Sequence, residues 1–182
     1  MEIKPLIKRV LGYMALLVIY LLLHISVFPN VKLGGIAPNI MIILVSSVGF
    51  MRGGNSSLFL GMLSGLLLDM FSGTYFGMYA VIYLVIGLLN VLFHQWFFGD
   101  DMKLPVFLIA LSDLIYGCMV YGCVYFMRAR YDFGFYLFHV IIPEVVYTVL
   151  VSLVLYFPIY YLERWFNKSE KRSERRFVGF TE

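Results

Sequence analysis

Residues 57–77, SLFLGMLSGLLLDMFSGTYFG, combine an apolar run with small residues at four-residue spacing and a carboxylate in the same row. Residues four apart lie along one ridge of a helix, so Ser57, Gly61, Gly65 and Asp69 would form a groove with almost no side-chain bulk. A helix that only had to dissolve in lipid would need neither the glycines nor the acid. The row therefore predicts that another helix approaches this one closely.

The composition of the whole chain places it in a membrane. Of its 182 residues, 62% are hydrophobic and only 14% are charged, whereas roughly a quarter of the residues of a soluble domain are charged. The mean hydropathy is +0.87. A chain of this length forms one unit without a separate soluble domain. We therefore predict an all-α integral membrane protein.

Six apolar runs approach the length of about 20 residues that a membrane-crossing helix needs. The first run follows a short basic N-terminus and lacks a small-residue cleavage site, which indicates an uncleaved first span. Short connections rich in Gly, Pro, Asn or Asp separate the runs, as helix ends require. The predicted six-span domain covers 1–165, with spans at about 10–28, 36–51, 56–73, 77–97, 104–127 and 135–165, and a basic cytoplasmic tail at 166–182.

The positive residues predict the orientation, because cytoplasmic loops of membrane proteins hold an excess of Lys and Arg. With the N-terminus inside, eleven positive residues lie on the inner side and three on the outer side. Both termini are then cytoplasmic. The inner set is Lys4, Lys8, Arg9, Arg52, Lys103, Arg164, Lys168, Lys171, Arg172, Arg175 and Arg176, and the outer set is Lys32, Arg128 and Arg130.

The second and third spans are short, which leaves two arrangements open. They either cross the membrane fully, with some thinning of the bilayer, or form a hairpin that dips in and returns to the outer side. A full crossing puts Arg52 in the cytoplasm, whereas the hairpin buries it. Because an unpaired buried Arg costs several kcal/mol or more, the sequence favours full crossing.

The glycine row has two interpretations. Small residues at four-residue spacing allow close packing of helices in lipid, where no hydrophobic force drives association. The neighbour is then either a span of the same chain or a helix of another protein. Gly73 and Gly77 flank a short TYF segment and indicate a turn to the fourth span. Asp69 lies in the outer part of its span, where a capping or hydrogen-bonding role is the simpler interpretation.

Two further carboxylates, Asp113 and Glu144, lie near the middle of the fifth and sixth spans. Each is nine residues from the end of its span, or roughly 13–14 Å at 1.5 Å per residue. Since helices joined by a short loop are usually neighbours, the two carboxyls could meet, and both cannot stay ionised in a medium of low dielectric constant. Pro143 would kink the helix and free a backbone carbonyl beside them.

The pair has a structural and a functional interpretation. It is either a neutral hydrogen-bonded staple, with Ser112, Tyr116 or Tyr147 as helpers, or a proton relay. The chain otherwise lacks the motifs of hydrolases, metalloproteases and nucleotide-binding enzymes. We predict no catalytic residue, no cofactor, no metal site and no nucleic-acid partner. Cys118 and Cys123 are five residues apart on different sides of a helix, which indicates two unpaired thiols.

Three segments carry a resemblance to a known family. Residues 61–87, GMLSGLLLDMFSGTYFGMYAVIYLVIG, resemble the glycine-rich central segment of the rod shape-determining protein MreD family. Residues 34–45, GGIAPNIMIILV, resemble the start of its second span. Residues 141–166, IIPEVVYTVLVSLVLYFPIYYLERWF, are similar to its closing span. The likeness covers essentially the whole chain.

The resemblance implies a non-enzymatic, multi-pass component of the bacterial inner membrane. Such a protein works in the cell-elongation machinery, where it associates with MreC. Through MreC it reaches MreB filaments, RodA and a class B penicillin-binding protein, and so guides lateral peptidoglycan synthesis. The family carries no catalytic residue onto this chain. Its recurrent residues correspond to Pro38, Gly61, Gly65, Asp69, Gly73, Gly77 and Pro143.

The same resemblance implies a distant similarity in fold to the substrate-binding S-components of energy-coupling-factor (ECF) transporters. This similarity supplies an alternative function, the binding of a vitamin. Those subunits dock their transporter partner through an AxxxA pattern on the first span. Here Ala15 is followed four residues later by Ile19, which argues against that function. A third alternative is a proton-linked transporter that uses Asp113 and Glu144.

Overall fold

The computed structural model describes residues 3–72, 75–96, 103–125 and 133–178, and these residues are almost entirely helical. Among the described residues, three π-helical turns interrupt or extend the α-helices: Leu23–Val27 continues α1, Tyr121–Tyr125 continues α5, and Leu137–Ile141 joins α6 to α7. The α-helices are α1 Ile3–Leu22, α2 Ile40–Arg52, α3 Asn55–Ser72, α4 Met78–Trp96, α5 Lys103–Val120, α6 Phe133–Tyr136 and α7 Ile142–Val178.

The helices fall into two length classes. Within the described residues, three helical stretches are long and apolar enough to cross a membrane, namely Ile7–Val27, Leu104–Val124 and Phe133–Phe166. Three shorter apolar helices match the second, third and fourth predicted spans: Ile40–Arg52, Ser56–Phe71 and Met78–His94. The prediction of six crossings depends on these shorter helices and stays a prediction.

The last helix extends beyond the predicted span. The sequence suggested that the span ends at 165 and that a tail follows, but α7 runs without a break to Val178. Residues 167–178 are rich in Glu, Lys and Arg, which favour helix, and neither Gly nor Pro occurs among them. The change in composition at 165 therefore marks a change in polarity and not the end of the helix.

The short helix α2 lies at the centre of the bundle. Every residue from Ile40 to Phe50 is buried, and the helix packs against α1, α3, α4, α5 and α7. A helix that is apolar on all sides needs neighbours on all sides, and the sequence of α2 meets this requirement with Ile, Leu, Val and Met around its whole circumference. Residues 40–50 are therefore enclosed by other helices and not by lipid.

The start of α2 lies inside the bundle and is capped there. Thirteen residues span about 20 Å, two-thirds of the hydrocarbon core of a bilayer. Buried Pro38 precedes the N-cap residue Asn39, whose Oδ1 accepts a hydrogen bond from Ile42 N at 3.4 Å. Oδ1 also accepts one from the Tyr83 hydroxyl at 2.7 Å, and Asn39 N donates to Thr148 Oγ1 at 3.0 Å. Side chains of α4 and α7 thus replace the water that would cap an exposed helix.

The other end of α2 meets the N-terminal part of α1 and the C-terminal part of α7. Arg52 Nη1 donates to the Tyr13 hydroxyl at 3.4 Å, and that hydroxyl donates to Glu163 Oε1. Arg9 forms an ion pair with Glu163, with 3.8 Å between Nη2 and Oε2. Arg52 is therefore partnered at the same end of the bundle as the start of α1, an arrangement that favours full crossing by α2.

Polarity in this bundle is distributed differently from that in a soluble protein. Many buried positions on the helices are polar, whereas the outward faces are apolar; the exposed side chains include Leu11, Val18, Ile19 and Leu22 of α1 and Val146, Leu150, Leu153, Val154 and Phe157 of α7. Continuous apolar faces of this kind are unfavourable in water. They fit a surrounding solvent of lipid chains.

We predict opposite sides of the membrane for the two loops that flank α2. In a chain with Cys118 and Cys123 replaced by serine, a membrane-impermeant maleimide should label Leu33→Cys in spheroplasts. Lys8→Cys and Asn55→Cys should react only after the membrane is opened, because the predicted orientation puts both on the cytoplasmic side. If Asn55→Cys reacted from outside as readily as Leu33→Cys, α2 and α3 would form the dipping hairpin instead.

Candidate functional site

The glycine row on α3 faces the backbone of α4. A Cβ added at Gly61 would lie 2.5 Å from the carbonyl oxygen of Tyr83, and one added at Gly65 would lie 2.5 Å from Ala80 Cα. Real Cβ atoms do not approach other atoms this closely, so only glycine fits at either position. The two helices therefore touch backbone to backbone, and α4 is the most extensive packing partner of α3 among the described residues.

Ser57 continues the row towards the start of α3, where α2, α3 and α4 converge. Its side chain is fully buried, and a Cβ added at Gly87 of α4 would lie 3.0 Å from its carbonyl oxygen. A Cβ added at Gly49 of α2 would lie 2.7 Å from Ser57 Oγ. The space in front of the row is thus filled by α2 and α4, which leaves no room there for a helix of another protein.

Asp69 caps α4 from the neighbouring helix. Its Oδ1 accepts a hydrogen bond from Tyr79 N at 2.9 Å and its Oδ2 accepts one from Ala80 N at 3.0 Å. These amides belong to the first turn of α4, where backbone donors have no partner within the helix and the helix dipole favours a negative charge. Gly77, with φ of +95°, makes the turn into α4, whereas Gly73 lies outside the described residues.

The two carboxyls Asp113 and Glu144 lie on helices α5 and α7, which pack against each other. Asp113 on α5 is 1% exposed, and Glu144 on α7 is partly buried and within electrostatic range of it. The hydroxyl of Thr148 lies beside Asp113, yet neither carboxyl oxygen of Asp113 completes a hydrogen bond to a described residue. Asp113 is thus a buried acid whose carboxyl oxygens are left without a partner among the described residues.

Of the three predicted helpers, only Tyr116 belongs to the surroundings of this pair. Its ring centroid lies 5.6 Å from that of Tyr83. Tyr83 in turn lies within electrostatic range of both carboxyls. Ser112 instead accepts a hydrogen bond from Asn90, and Tyr147 donates to the carbonyl oxygen of Val31 at 2.8 Å. The prediction of these two as helpers was wrong because their side chains leave the helix towards other neighbours.

Pro143 stands where the backbone changes from π- to α-helix. The π-helical turn Leu137–Ile141 ends one residue before α7 begins at Ile142. Proline has no amide hydrogen, so the carbonyl of His139, four residues earlier, lacks its usual α-helical donor. A wider turn just before the proline accommodates this missing bond. Pro143 thereby shapes the stretch of helix that carries Glu144.

Sequence reasoning missed a polar link through the centre of the bundle. Asn90 on α4 donates from Nδ2 to Ser112 Oγ of α5 and to Ile86 O, both at 2.9 Å, and to Ser46 Oγ of α2 at 3.4 Å. The available signal was a lone amide within the apolar run of α4. No group of three or more His, Cys, Asp or Glu side chains in the described part of the chain could hold a metal ion.

Adding one methyl group at the glycine row should separate α3 from α4. Gly65→Ala places a Cβ against Ala80 and should destabilise the protein by about 1–3 kcal/mol, as in other overpacked cores. Gly122→Ala is the matched control, since a Cβ there meets nothing within 4 Å. Unfolding of both variants in detergent measures the difference; equal stability would show that the contact is not tight.

Removing the cap should weaken the start of α4. Asp69→Ala leaves two amides of the first turn unpaired and should cost about 0.5–2 kcal/mol, the usual value of an N-cap. Asp69→Asn keeps one acceptor oxygen and should cost less. Hydrogen exchange at Tyr79 and Ala80 provides the local readout, and unchanged protection in Asp69→Ala would contradict the capping role.

Comparison with known proteins places the whole bundle in one family. The chain matches the family described as rod shape-determining protein MreD over residues 6–166. This range holds α2, α3 and α4, the capping carboxylate and both midplane acids. No curated protein and no solved structure matches the chain. Because one family accounts for nearly all of the helical bundle, the chain belongs to the MreD family of rod shape-determining membrane proteins.

Proposed function

We propose that this protein is a non-enzymatic, multi-pass component of the bacterial inner membrane that takes part in cell elongation by associating with an MreC-like protein. Through that partner it is connected to MreB, RodA and a class B penicillin-binding protein, and so to lateral peptidoglycan synthesis. The match to the MreD family over residues 6–166 is the observation that carries the proposal.

The packing of the bundle supports a scaffolding role. Interior polar groups such as Asp69, Asn39 and Asn90 are used to cap helices and to link them to one another. Side chains engaged in this way stabilise one arrangement of helices and offer little to a reacting substrate. A rigid bundle with a lipid-compatible exterior suits a protein that presents a surface to other membrane proteins.

The structure also narrows where a partner can bind. The row formed by Ser57, Gly61 and Gly65 is covered by α2 and α4, so an MreC-like helix has to use another surface. No described feature favours the vitamin-binding alternative: Ile19 occupies the second position of the AxxxA pattern, and it lies on the exposed face of α1. The shape-determining function remains the one that the observations support best.

Depletion of the protein from a rod-shaped bacterium that encodes it tests the proposal. We expect the cells to become round, wild-type protein to restore rods, and tagged protein in native membranes to co-purify an MreC-like protein. The Gly122→Ala variant should restore shape as well as wild type does. Gly65→Leu should lose abundance together with activity, because it disrupts the bundle and not a partner surface.

Two results would contradict the proposal. If cells kept their normal rod shape after full depletion of the protein, the proposed role in elongation would be contradicted. Co-purification of an ATPase-coupled permease in place of elongation proteins would support the transporter alternative. Abundance measured by immunoblot in the same cells separates loss of the protein from loss of its function.

A further inference from the structure

The helix α7 leaves the bundle through a close contact with α1. Glu163 accepts a hydrogen bond from the Tyr13 hydroxyl and forms an ion pair with Arg9, with 3.8 Å between Oε2 and Nη2. Phe166 meets the Tyr13 ring edge to face, with 5.9 Å between the centroids, and its own centroid lies 5.7 Å from the guanidinium carbon of Arg9. Because Glu163 and Phe166 are both buried against α1, they fix the rotation of α7 about its axis at this point.

This rotation gives α7 an inward face and an outward face that keep their directions for about five turns. At 100° per residue, the outward side chains fall within an arc of about 120° and the inward ones lie on the opposite side. The exposed outward residues are Val146, Leu150, Leu153, Val154, Phe157, Tyr161 and Trp165, and the buried inward residues are Thr148, Ser152, Ile159, Glu163 and Phe166.

Basic positions beyond the bundle continue the outward face. The backbone of α7 stays helical to Val178, so the same rotation of 100° per residue applies there. It places six basic positions within an arc of about 140°, in line with the outward residues. These positions are Arg164, Lys168, Lys171, Arg172, Arg175 and Arg176, and we call them the basic face.

The two acids of the same stretch fall outside the basic face. Glu170 and Glu174 come at the register of the inward side, on which Glu163 lies. Residues 164–178 thus carry both signs of charge, but the two signs occupy different faces of the helix. A stretch that only had to be soluble would not need this separation.

The outward face changes its chemistry along α7 in the order of the layers of a membrane. It is aliphatic as far as Val154, then aromatic with Phe157, Tyr161 and Trp165, which are 50%, 66% and 58% exposed, and then basic. Tyr and Trp are enriched at the boundary between hydrocarbon and water. Clusters of Lys and Arg directly beyond a span attract anionic lipid headgroups. The predicted orientation puts this end of α7 on the cytoplasmic side.

The length of the last span keeps the basic face near the membrane surface. The apolar stretch Phe133–Phe166 has 34 residues, or about 51 Å of helix, whereas the hydrocarbon core is about 30 Å thick. A span of such length is accommodated by tilting or kinking, and a tilted helix rises less per residue along the membrane normal. Lys and Arg have long side chains that reach the interface from neighbouring positions.

We propose that the basic face, from Arg164 to Arg176, binds the headgroups of anionic phospholipids at the cytoplasmic surface of the membrane. The contact of Glu163 and Phe166 with α1 sets the direction of this face. The register of Glu170 and Glu174 keeps their charges on the other side of the helix. The protein thereby prefers anionic lipid around α7, a property that is independent of the proposed role in elongation.

Trp165 lies on the outward face and provides the probe. The chain has two tryptophans, and Trp96→Phe leaves Trp165 alone. The full-length protein is placed in vesicles of phosphatidylcholine and phosphatidylglycerol, in which one of the two lipids carries bromine atoms that quench nearby tryptophan fluorescence. At equal fractions, brominated phosphatidylglycerol should quench Trp165 more strongly, with a relative association constant of at least about two. Added salt should reduce this preference.

An exchange of neighbouring residues separates the arrangement of charge from its amount. Glu170→Lys with Lys171→Glu and Glu174→Arg with Arg175→Glu keep the composition and the net charge, but they put two acids on the basic face. This variant should lower the relative association constant towards one. The matched control, Glu170→Gln with Glu174→Gln, changes only the other side and should keep the preference. Circular dichroism and thermal stability confirm that all the proteins compared have the same helix content and fold.

Three outcomes would overturn the proposal. Equal quenching by the two lipids in the chain with wild-type charges would mean that headgroup charge is not recognised, and the basic face would then suit an acidic cytoplasmic protein. An undiminished preference in the exchange variant would mean that net charge alone attracts the lipid. An undiminished preference after Lys168, Lys171, Arg172, Arg175 and Arg176 are all replaced by Gln would place the lipid site elsewhere.

Discussion

The contact between the backbones of α3 and α4 is the constraint on which the rest of the bundle depends. Gly61 and Gly65 bring the two helices so close that even a methyl group does not fit between them. This approach sets the position of α4, and α4 then supplies Tyr83 to the cap of α2 and Asn90 to the link with α5. Asp69 holds the first turn of α4 in register. A change in the contact between α3 and α4 would therefore also disturb the hydrogen bonds that α4 makes with α2 and α5.

Hydrogen bonds have an unusual distribution in this protein because its surroundings offer none. In hydrocarbon, every polar group must find a partner within the protein. Helix ends that would contact water in a soluble protein are capped here by side chains from other helices, as Asp69 does for α4. At the start of the central helix α2, the N-cap residue Asn39 is held by Tyr83 of α4 and Thr148 of α7. The contacts that cap these helix ends thus also hold one helix against another.

Membership of the MreD family gives these features a biological setting. The interior of the protein is linked by capped helices, and such links favour one arrangement of the helices. Against that background, Asp113 is exceptional, because neither of its buried carboxyl oxygens has a hydrogen-bond partner among the described residues.

The amino-acid sequence alone determined the class of the protein, its helical composition and several local roles. Apolar runs of sufficient length form helices in lipid in almost any context, and a glycine row implies close packing whatever the neighbour is. Residue spacing cannot reveal which helix fills the groove, because this depends on how all the helices pack together. Only the tertiary structure showed that α4 fills the groove, that α2 is enclosed on every side, and that Asp69 caps a helix other than its own. Ser112 and Tyr147 were assigned wrongly for the same reason: the direction of a side chain follows from the rotation of its helix, and packing alone sets that rotation.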